Sequence, residues 1–264
     1  MNGSPTRLKT YIITLPEAVR RRRFMEAQLL NFPFMDAEFV NGVKGVEMSS
    51  EELERAVDRD SCRRTIGRSL TPSEIGSTLS HLRVMQRIDH ENVPLALVLE
   101  DDALISGRIG GVIAGVLRFL QGDRPGIVLL TPCKYLRSRG SRIHPDFSVQ
   151  PYFRGFYASG YVINRMAAKA ISSALMPLRA HLDWWHITRE VSGIAINALV
   201  PYLVGISISE NTVSYIDRGD RTAQAGQEPD TSPSLISRLR EFVGRARRGV
   251  VERVRGIRGQ RLIF

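Results

Sequence analysis

Cysteine is scarce in this chain, and long hydrophobic runs are absent from its sequence. Its two cysteines, Cys62 and Cys133, form neither a close pair nor a metal-ligand spacing, so we expect no disulfide framework and no zinc site. No apolar run approaches the length that spans a bilayer, and residues 1–9 lack the apolar centre of a secretory signal. These absences predict a cytosolic protein without a membrane-spanning helix.

Acidic residues are too few to balance the basic ones, which leaves a formal net charge of +10 over 264 residues. Nine arginines and only two glutamates fall between residues 237 and 264, so +7 of this excess belongs to the end of the chain. The remaining body is only mildly basic, and its length suffices for one large domain or two small ones with an ample core. Net charge therefore gives no reason to expect a nucleic-acid partner.

The basic end of the chain has the pattern of an amphipathic helix. Apolar side chains between residues 235 and 257 fall on one helical side and most arginines on the other, which is typical of helices that lie on anionic membrane surfaces. A helix packed on its own domain or on a partner chain would show the same pattern. We therefore divide the chain into a globular domain (1–209), a polar linker (210–233) and a basic amphipathic tail (234–264).

The most informative stretch is LALVLEDD, at residues 95–102. Its apolar part predicts a strand buried on both faces, as in parallel sheets, and this strand ends in three consecutive carboxylates, Glu100, Asp101 and Asp102. Carboxylates at the carboxyl end of a strand are hard oxygen ligands that can hold Mg²⁺ or Mn²⁺ together with the phosphates of a ligand. The alternative is a strand end that simply meets solvent.

Earlier in the chain, residues 9–15 read as a first strand and residues 17–30 as a helix. The helix contains four consecutive arginines in its first half, at residues 20–23, where the helix dipole favours acidic residues instead. Two interpretations are open. The arginines form a solvated basic face, or one or more of them meets a phosphate beside the first strand.

The clearest helix occupies residues 71–90. Thr71 is its N-cap, Pro72 takes the first helical position and Glu74 completes a capping box. His81 lies two turns after Glu74 on nearly the same side of the helix, at the edge of its apolar stripe. Such a histidine is either a satisfied core residue or a catalytic group. Because the helix leads directly into the strand at residue 95, the segment is typical of a β-α-β unit.

The rest of the chain alternates in the same way. We expect a short helix at 50–57 within a mobile polar region at 44–69, then a helix at 109–120, a strand at 126–131, a basic loop at 132–150, a strand at 157–163 and a helix at 165–175. The cluster HLDWWH follows at residues 181–186. Indoles stack on the apolar faces of sugars and carboxylates accept sugar hydroxyls, so the cluster could bind a sugar; the alternative is that its tryptophans belong to the core.

Four segments carry a combined pattern: YIITL followed by Arg21, LTPSEIGSTLSHLRVMQRI, PLALVLEDDALIS, and YASGYVINRMAAKAI followed by Asp183. Their order and spacing resemble glycosyltransferase family 25, the lipopolysaccharide glycosyltransferases. The resemblance covers residues 10–208 and implies an α/β, GT-A-like nucleotide-binding fold with a mainly parallel central sheet. Two departures occur. Thr14-Leu15-Pro16 stands where the family usually has Asn-Leu-Asp, and Gly76-Ser77 stands where it often has Gly-Cys.

The resemblance also implies where a nucleotide sugar and a metal ion would bind. Asp102, with Glu100, would hold Mn²⁺ or Mg²⁺, while Glu100 or Asp101 would reach the ribose or a metal-bound water. The implied nucleotide contacts are Arg21, Thr14, Leu15, Glu100 and Asp101. Of these, Arg21 would approach the phosphates or the base.

Two further roles follow from the same resemblance. Inverting transfer needs a base within hydrogen-bond reach of the acceptor hydroxyl, and Asp183 is the predicted base, with Glu190 and His186 as alternatives. His81 is expected to assist at the diphosphate or the sugar, and Glu74 to orient His81.

These expectations describe an inverting, metal-dependent transferase that moves a sugar, commonly galactose, from a UDP-sugar to lipopolysaccharide or a related glycan or lipid-linked acceptor. It would be cytoplasmic and peripheral at the inner face of the cytoplasmic membrane, bound to the anionic surface through its tail. Two other classes stay open. One is a metal-dependent nucleotidyltransferase, although residues 10–20 lack the usual glycine-rich phosphate loop, and the other is a non-catalytic membrane adaptor.

Overall fold

The structure is a computed structural model, and it describes residues 7–136 and 140–207 together with the backbone of 257–259. The helices are α1 (Val19–Leu29), α2 (Ser50–Ala56), α3 (Arg59–Ile66), α4 (Pro72–His90), α5 (Ile109–Leu120), α6 (Arg165–Ala174) and α7 (Trp185–Ser192), with a 3-10 turn at Gly45–Glu47. The strands are β1 (Leu8–Thr14), β2 (Met35–Asn41), β3 (Leu95–Glu100), β4 (Ala103–Ile105), β5 (Gly126–Leu129), β6 (Lys134–Leu136), β7 (Ser141–His144), β8 (Phe147–Arg154), β9 (Gly160–Asn164), β10 (Ala195–Val200), β11 (Val204–Ile206) and β12 (Ile257–Gly259).

One large sheet organises the molecule. Its strand order is β12-β6-β8-β10-β5-β9-β3-β1-β2, with β7 paired to β8, while β4 and β11 form a separate antiparallel pair. In its centre, β2, β1, β3, β5 and β10 all run in one direction, and β9 runs against its two neighbours. The fold is therefore a mixed α/β fold with a largely parallel central sheet, in agreement with the sequence prediction.

The apolar strand β3 lies inside this sheet, between β1 and β9. Ala96 and Val98 point into one core, which α4, α6 and α7 complete, and Leu97 and Leu99 point into a second core, which α1 and α5 complete. All four side chains are fully buried. A strand covered by helices on both faces has no solvent face, and this explains why its sequence is continuously apolar rather than alternating.

Helix α4 begins as the sequence predicts. The Thr71 hydroxyl accepts a hydrogen bond from the Glu74 amide, and the Glu74 carboxylate accepts one from the Thr71 amide, which completes the capping box. One turn later, a Cβ atom on Gly76 would lie 2.5 Å from the amide nitrogen of Gly45, so only glycine permits this contact between the helix and the 3-10 turn. The buried start of α4 therefore fixes the segment that follows β2.

Two segments differ from the sequence prediction. Residues 132–150 were expected to form a loop, but they contain β6, β7 and the start of β8. Strands β6 and β7 are exposed or half-buried along their length, so they lack the apolar alternation that reveals a strand. Residues 44–69 are largely helical rather than a loop region, since α3 follows α2 after an Asp58 N-cap. The strand expected from residue 157 begins instead at Gly160.

Most of the predicted linker and tail lies outside the described residues. The exception is the backbone of β12, which is extended and pairs antiparallel with β6. Among the described residues, no helix is long and apolar enough to cross a membrane.

Candidate active site

The carboxyl ends of β1 and β3 meet at one edge of the sheet. The two strands are parallel, with Ile13 opposite Glu100, and the amide of Asp101 donates to the Ile13 carbonyl at 3.1 Å. This register places Thr14, at the end of β1, beside the acidic residues that follow β3. The Thr14 hydroxyl donates to Oδ2 of Asp101 at 2.7 Å. Two of the stretches that the sequence singled out are therefore adjacent in space.

Asp101 has a partner on each carboxylate oxygen. Besides Thr14 on Oδ2, Nη1 of Arg21 donates to Oδ1 at 3.0 Å, and the Asp101 side chain is only 8% exposed. Burial raises the pKa of Asp101, against the opposing effect of the hydroxyl and the guanidinium. Asp101 thus ties β3 to β1 and α1, and each of its oxygens accepts a hydrogen bond from the protein.

Asp102 is held differently from its neighbour. The extended chain does not continue past Glu100 but turns at Asp101 and Asp102. Oδ2 of Asp102 lies 3.6 Å from Nη1 of Arg21, whereas Oδ1 is buried and has no hydrogen-bond partner among the described residues. Burial and the negative charges of Glu100 and Asp101 raise the pKa of Asp102 to about 7, although Arg21 opposes the rise. Asp102 is therefore a half-buried carboxylate, one of whose oxygens is buried without a hydrogen-bond partner among the described residues.

Glu100 is linked to His81 and Tyr161. Nε2 of His81 lies 3.1 Å from Oε1 of Glu100, and Nδ1 lies 3.0 Å from the Tyr161 hydroxyl. A carboxylate only accepts, so Nε2 carries the hydrogen of this bond, while Nδ1 is paired with the Tyr161 hydroxyl. Burial acts to raise the pKa of Glu100, but the hydrogen bond and charge of His81 outweigh it and lower that pKa. His81 is thus both a core residue, 1% exposed, and a contact of the acidic cluster.

Glu74 does not orient His81, because its carboxylate has other partners. Arg68 donates to its two oxygens at 2.7 and 2.6 Å, and the Thr71 amide donates at 3.0 Å. These contacts lower the pKa of Glu74 although burial acts to raise it. The expected role for Glu74 is therefore wrong in this respect, since the capping box and Arg68 hold the carboxylate at the start of α4.

The predicted base, Asp183, lies in a loop held against α4. The amide of Leu182 donates to the Thr78 hydroxyl at 3.2 Å, and Oδ1 of Asp183 lies 2.5 Å from Nδ1 of His181. His181 is 8% exposed, whereas the Asp183 side chain is 22% exposed. Burial acts to lower the pKa of His181, but the carboxylates of Asp183, Glu74 and Glu100 together raise it. The loop therefore lies close enough to Glu100 for the two regions to influence each other electrostatically.

The two tryptophans have different environments. Trp185 is fully buried, packs edge-on against Tyr161 and donates from Nε1 to the Tyr157 carbonyl at 2.9 Å. Trp184 is half-buried and forms a surface cluster with His186, on which it stacks at 5.8 Å, and with Phe156, which is 41% exposed. The core interpretation is thus correct for Trp185, while Trp184 retains an aromatic surface beside Asp183.

The remaining predicted residues occupy more peripheral positions. Leu15 is half-buried, and its carbonyl accepts the amide of Ala18, which starts the chain toward α1. Glu190 is exposed on α7. His186 is half-buried, and its burial together with the charge of Arg154 lowers its pKa. Among the described residues, neither alternative base has a hydrogen-bonded histidine partner like that of Asp183. The sequence analysis assigned no individual role to His181, which is that partner.

Comparison with known proteins identifies the family. The model of glycosyltransferase family 25, described as LPS biosynthesis proteins, matches residues 7–185. The chain belongs to glycosyltransferase family 25. The matched part of this glycosyltransferase contains β1, β3 and residues 181–185, and hence the acidic cluster with Arg21 and His81 as well as His181 and Asp183.

Two solved structures are similar to this family 25 glycosyltransferase at low sequence identity. A glycosyltransferase involved in the glycosylation of the major capsid of PBCV-1 is similar at 10% identity and a TM-score of 0.36, over 73% of this chain and 80% of that one. Mouse xyloside xylosyltransferase 1, in its apo form, is similar at 15% identity and a TM-score of 0.33, over 71% of this chain and 63% of that one. No curated protein matches.

Proposed function

We propose that this glycosyltransferase transfers a hexose, with galactose as the first candidate, from a UDP-sugar to a hydroxyl of lipopolysaccharide or a related glycan. The proposed reaction inverts the anomeric carbon and uses a divalent metal ion. The observation that carries the proposal is the buried, unpartnered Oδ1 of Asp102 within a cluster of three carboxylates. Such an oxygen is costly unless a cation or a donor meets it in the functional complex.

The donor set supports Mn²⁺ or Mg²⁺ at Asp102 and Glu100. Both ions prefer oxygen ligands, and Mg²⁺ commonly takes one or two carboxylates and completes its shell with substrate phosphates and water. No group of three or more His, Cys, Asp or Glu side chains among the described residues is placed to hold a metal, so substrate phosphates and water would have to complete the shell. When bound, the ion would neutralise charge on the diphosphate leaving group.

The residues around the cluster keep it in place. Arg21 bridges Asp101 and Asp102, and it brings a positive charge to the edge where phosphates would bind. Thr14 fixes Asp101 from the opposite side, and His81 fixes Glu100. In this proposal Asp101 is a positioning residue for Arg21, while Asp102 and Glu100 face the metal.

On the acceptor side, Asp183 removes the proton from the acceptor hydroxyl as the oxygen attacks the anomeric carbon. Its partly exposed carboxylate can reach a ligand, and the adjacent Trp184 and Phe156 offer aromatic faces on which a sugar ring can stack. The bond to the diphosphate would break on the opposite face, so the proposal requires the base and the acidic cluster to lie on two sides of the transferred sugar.

Calorimetric titration of UDP tests this proposal directly. We expect UDP to bind in the presence of Mn²⁺ and not in EDTA, and Asp102→Asn to weaken binding in Mn²⁺ by about 100-fold because a metal ligand is lost. Far-UV circular dichroism and a melting curve would confirm that the variant is folded. Equal binding with and without metal, or full affinity in the variant, would refute the metal assignment.

We also propose that the basic tail binds an anionic membrane surface at the cytoplasmic face. The pattern of arginines opposite apolar residues supports this role. Because β12 pairs with β6, truncation would remove part of the sheet, and charge neutralisation is the cleaner test. Replacing Arg245, Arg247 and Arg248 with Gln should lower sedimentation with phosphatidylserine vesicles at least about 10-fold, since each basic residue contributes about 1 kcal/mol. Unchanged sedimentation would contradict the membrane role.

A further inference from the structure

We propose that His181 is a positioning residue that fixes the carboxylate of Asp183 for proton abstraction. It donates from Nδ1 to Oδ1 of Asp183 and leaves the other carboxylate oxygen for the acceptor hydroxyl. This inference rests on the proposed function, because it assigns a partner to the proposed base. It differs from a catalytic role for His181 itself, since His181 acts through Asp183 and not on the substrate.

The hydrogen bond to Asp183 is the polar contact that orients the imidazole in the part of the chain that the structure describes. Nδ1 lies 2.5 Å from Oδ1 of Asp183, and since the carboxylate can only accept, Nδ1 carries the hydrogen. Nε2 is buried and has no hydrogen-bond partner among the described residues. The ring therefore has one polar contact, and this contact is with the proposed base.

Burial separates the roles of the two residues. His181 is 8% exposed and its Nε2 is covered, so this nitrogen does not reach an acceptor at the surface. The Asp183 side chain is 22% exposed and lies at the start of the aromatic surface formed by Trp184 and Phe156. A ligand on that surface meets Asp183 before it meets His181. The geometry thus assigns substrate contact to Asp183 and support to His181.

The main chain of the loop strengthens this support. The Trp184 amide donates to the His181 carbonyl at 3.1 Å, and the Leu182 amide donates to Thr78 on α4 at 3.2 Å. The Thr188 hydroxyl on α7 donates to the Leu182 carbonyl at 3.3 Å. These bonds fix the backbone on both sides of Leu182 but do not involve the Asp183 side chain. Among residues 7–136 and 140–207, His181 is the hydrogen-bond partner of the Asp183 carboxylate.

The charges around His181 favour donation of a hydrogen bond from its Nδ1 to Asp183. Carboxylates of Asp183, Glu74 and Glu100 act on the ring, while Arg68 compensates Glu74 and His81 compensates Glu100. The two outer carboxylates therefore have their own partners, and Asp183 depends on His181 for its partner. Orientation of a reacting group is worth large factors in rate, because a displacement of about 1 Å can cost about 100-fold.

Two amide substitutions distinguish the nitrogens of His181. The amide of Asn branches at Cγ and can place a donor near the position of Nδ1, whereas the amide of Gln lies one bond further out, near Nε2. We expect His181→Asn to retain hydrolysis of UDP-galactose within about 3-fold of wild type, and His181→Gln to lose about 30-fold in kcat with little change in KM. Water takes the place of the acceptor hydroxyl in this assay. Melting curves and UDP titration would show whether both variants remain folded.

A second measurement does not depend on turnover. In proton NMR of the wild-type chain with labelled histidine, the Nδ1-bound hydrogen of His181 should give a far-downfield signal that Asp183→Ala removes. Equal losses of kcat in His181→Asn and His181→Gln, or the absence of the downfield signal, would overturn the proposal. If wild type does not hydrolyse UDP-galactose, the donor assignment of the proposed function fails, and the NMR result alone decides whether His181 holds Asp183.

Discussion

The acidic strand end and the Asp183 loop both bring carboxylates to the same edge of the sheet, but they hold them in different ways. At the strand end, Asp101 and Asp102 share the guanidinium of Arg21 and Glu100 pairs with His81, while one oxygen of Asp102 has no donor among the described residues. In the loop, one carboxylate has one imidazole at 2.5 Å. Unmet negative charge favours the binding of a cation, whereas a carboxylate in a fixed orientation favours the acceptance of a proton. The difference suggests that the leaving group and the acceptor are served by separate regions.

The largest effect that separates the two regions is expected from Asp183→Asn. Loss of a general base should lower turnover of UDP-galactose by about 1,000-fold. The affinity for UDP in Mn²⁺ should stay within about 2-fold of wild type, because the nucleotide contacts belong to the other region. Steady-state kinetics and calorimetry measure the two quantities on the same preparation. A parallel loss of UDP affinity would show that the regions are not separate.

A second comparison lies within the arginine run at residues 20–23. Arg21 is 13% exposed and bridges Asp101 and Asp102, so Arg21→Ala should lower the free energy of unfolding by about 3 kcal/mol, since it leaves a buried carboxylate without its cation. The matched control is Arg22→Ala. Arg22 is 49% exposed in an ion pair with Glu26, and its loss should cost less than about 1 kcal/mol. Urea unfolding of both variants measures the difference, and equal losses would favour a purely solvated basic face.

The parts of the molecule that local patterns determine could be predicted from the sequence. The apolar run of β3 and the capping box of α4 each specify their element without reference to distant residues, and both are confirmed. The family resemblance named Thr14 and the acidic residues as nucleotide contacts, and the parallel register of β1 and β3 brings these residues together. What these elements share is a signal contained within a few consecutive residues.

The different contacts of the individual carboxylates could not be predicted in the same way. Which of Asp101 and Asp102 has partners depends on the turn after Glu100 and on the reach of Arg21, and neither is encoded in the local pattern. The importance of His181 depends on the rotamer of Asp183 and on burial by neighbouring elements. The sequence indicates which segments contribute to the site, and tertiary packing determines the contacts of each residue in them.

The unmet charge of Asp102 predicts a pH dependence of stability in the metal-free chain. The pKa of Asp102 is raised to about 7, so the folded chain holds this proton more tightly than the unfolded chain does. Its contribution to stability is therefore complete below the ordinary aspartate range and is lost as the pH rises through about 7. In EDTA, urea unfolding should show a loss on the order of 2 kcal/mol between about pH 4 and pH 8.

Asp102→Asn is the control for this dependence. Asn cannot ionise, so the variant should be more stable than wild type at alkaline pH in EDTA, and its pH profile should be flatter. Added Mn²⁺ should stabilise wild type at alkaline pH and leave the variant nearly unchanged, because binding to the folded state alone shifts the equilibrium. Identical pH profiles for the two chains would show that Asp102 carries no unmet charge.

The smallest effect is expected on the free energy of unfolding, from substitution of two serines of α4, Ser80 and Ser77. The buried Ser80 hydroxyl accepts the Val43 amide at 2.7 Å, which holds the segment after β2 beside His81. Ser80→Ala leaves that amide without its acceptor and should lower the free energy of unfolding by about 1–2 kcal/mol. Ser77→Ala, one turn earlier and half-buried, removes a hydroxyl that makes no hydrogen bond among the described residues, and should cost less than about 0.5 kcal/mol. UDP affinity should stay unchanged in both variants, since Ser80 supports the site through the backbone and contacts neither carboxylate region. A loss of UDP affinity in a folded Ser80→Ala chain would instead place this serine at the nucleotide.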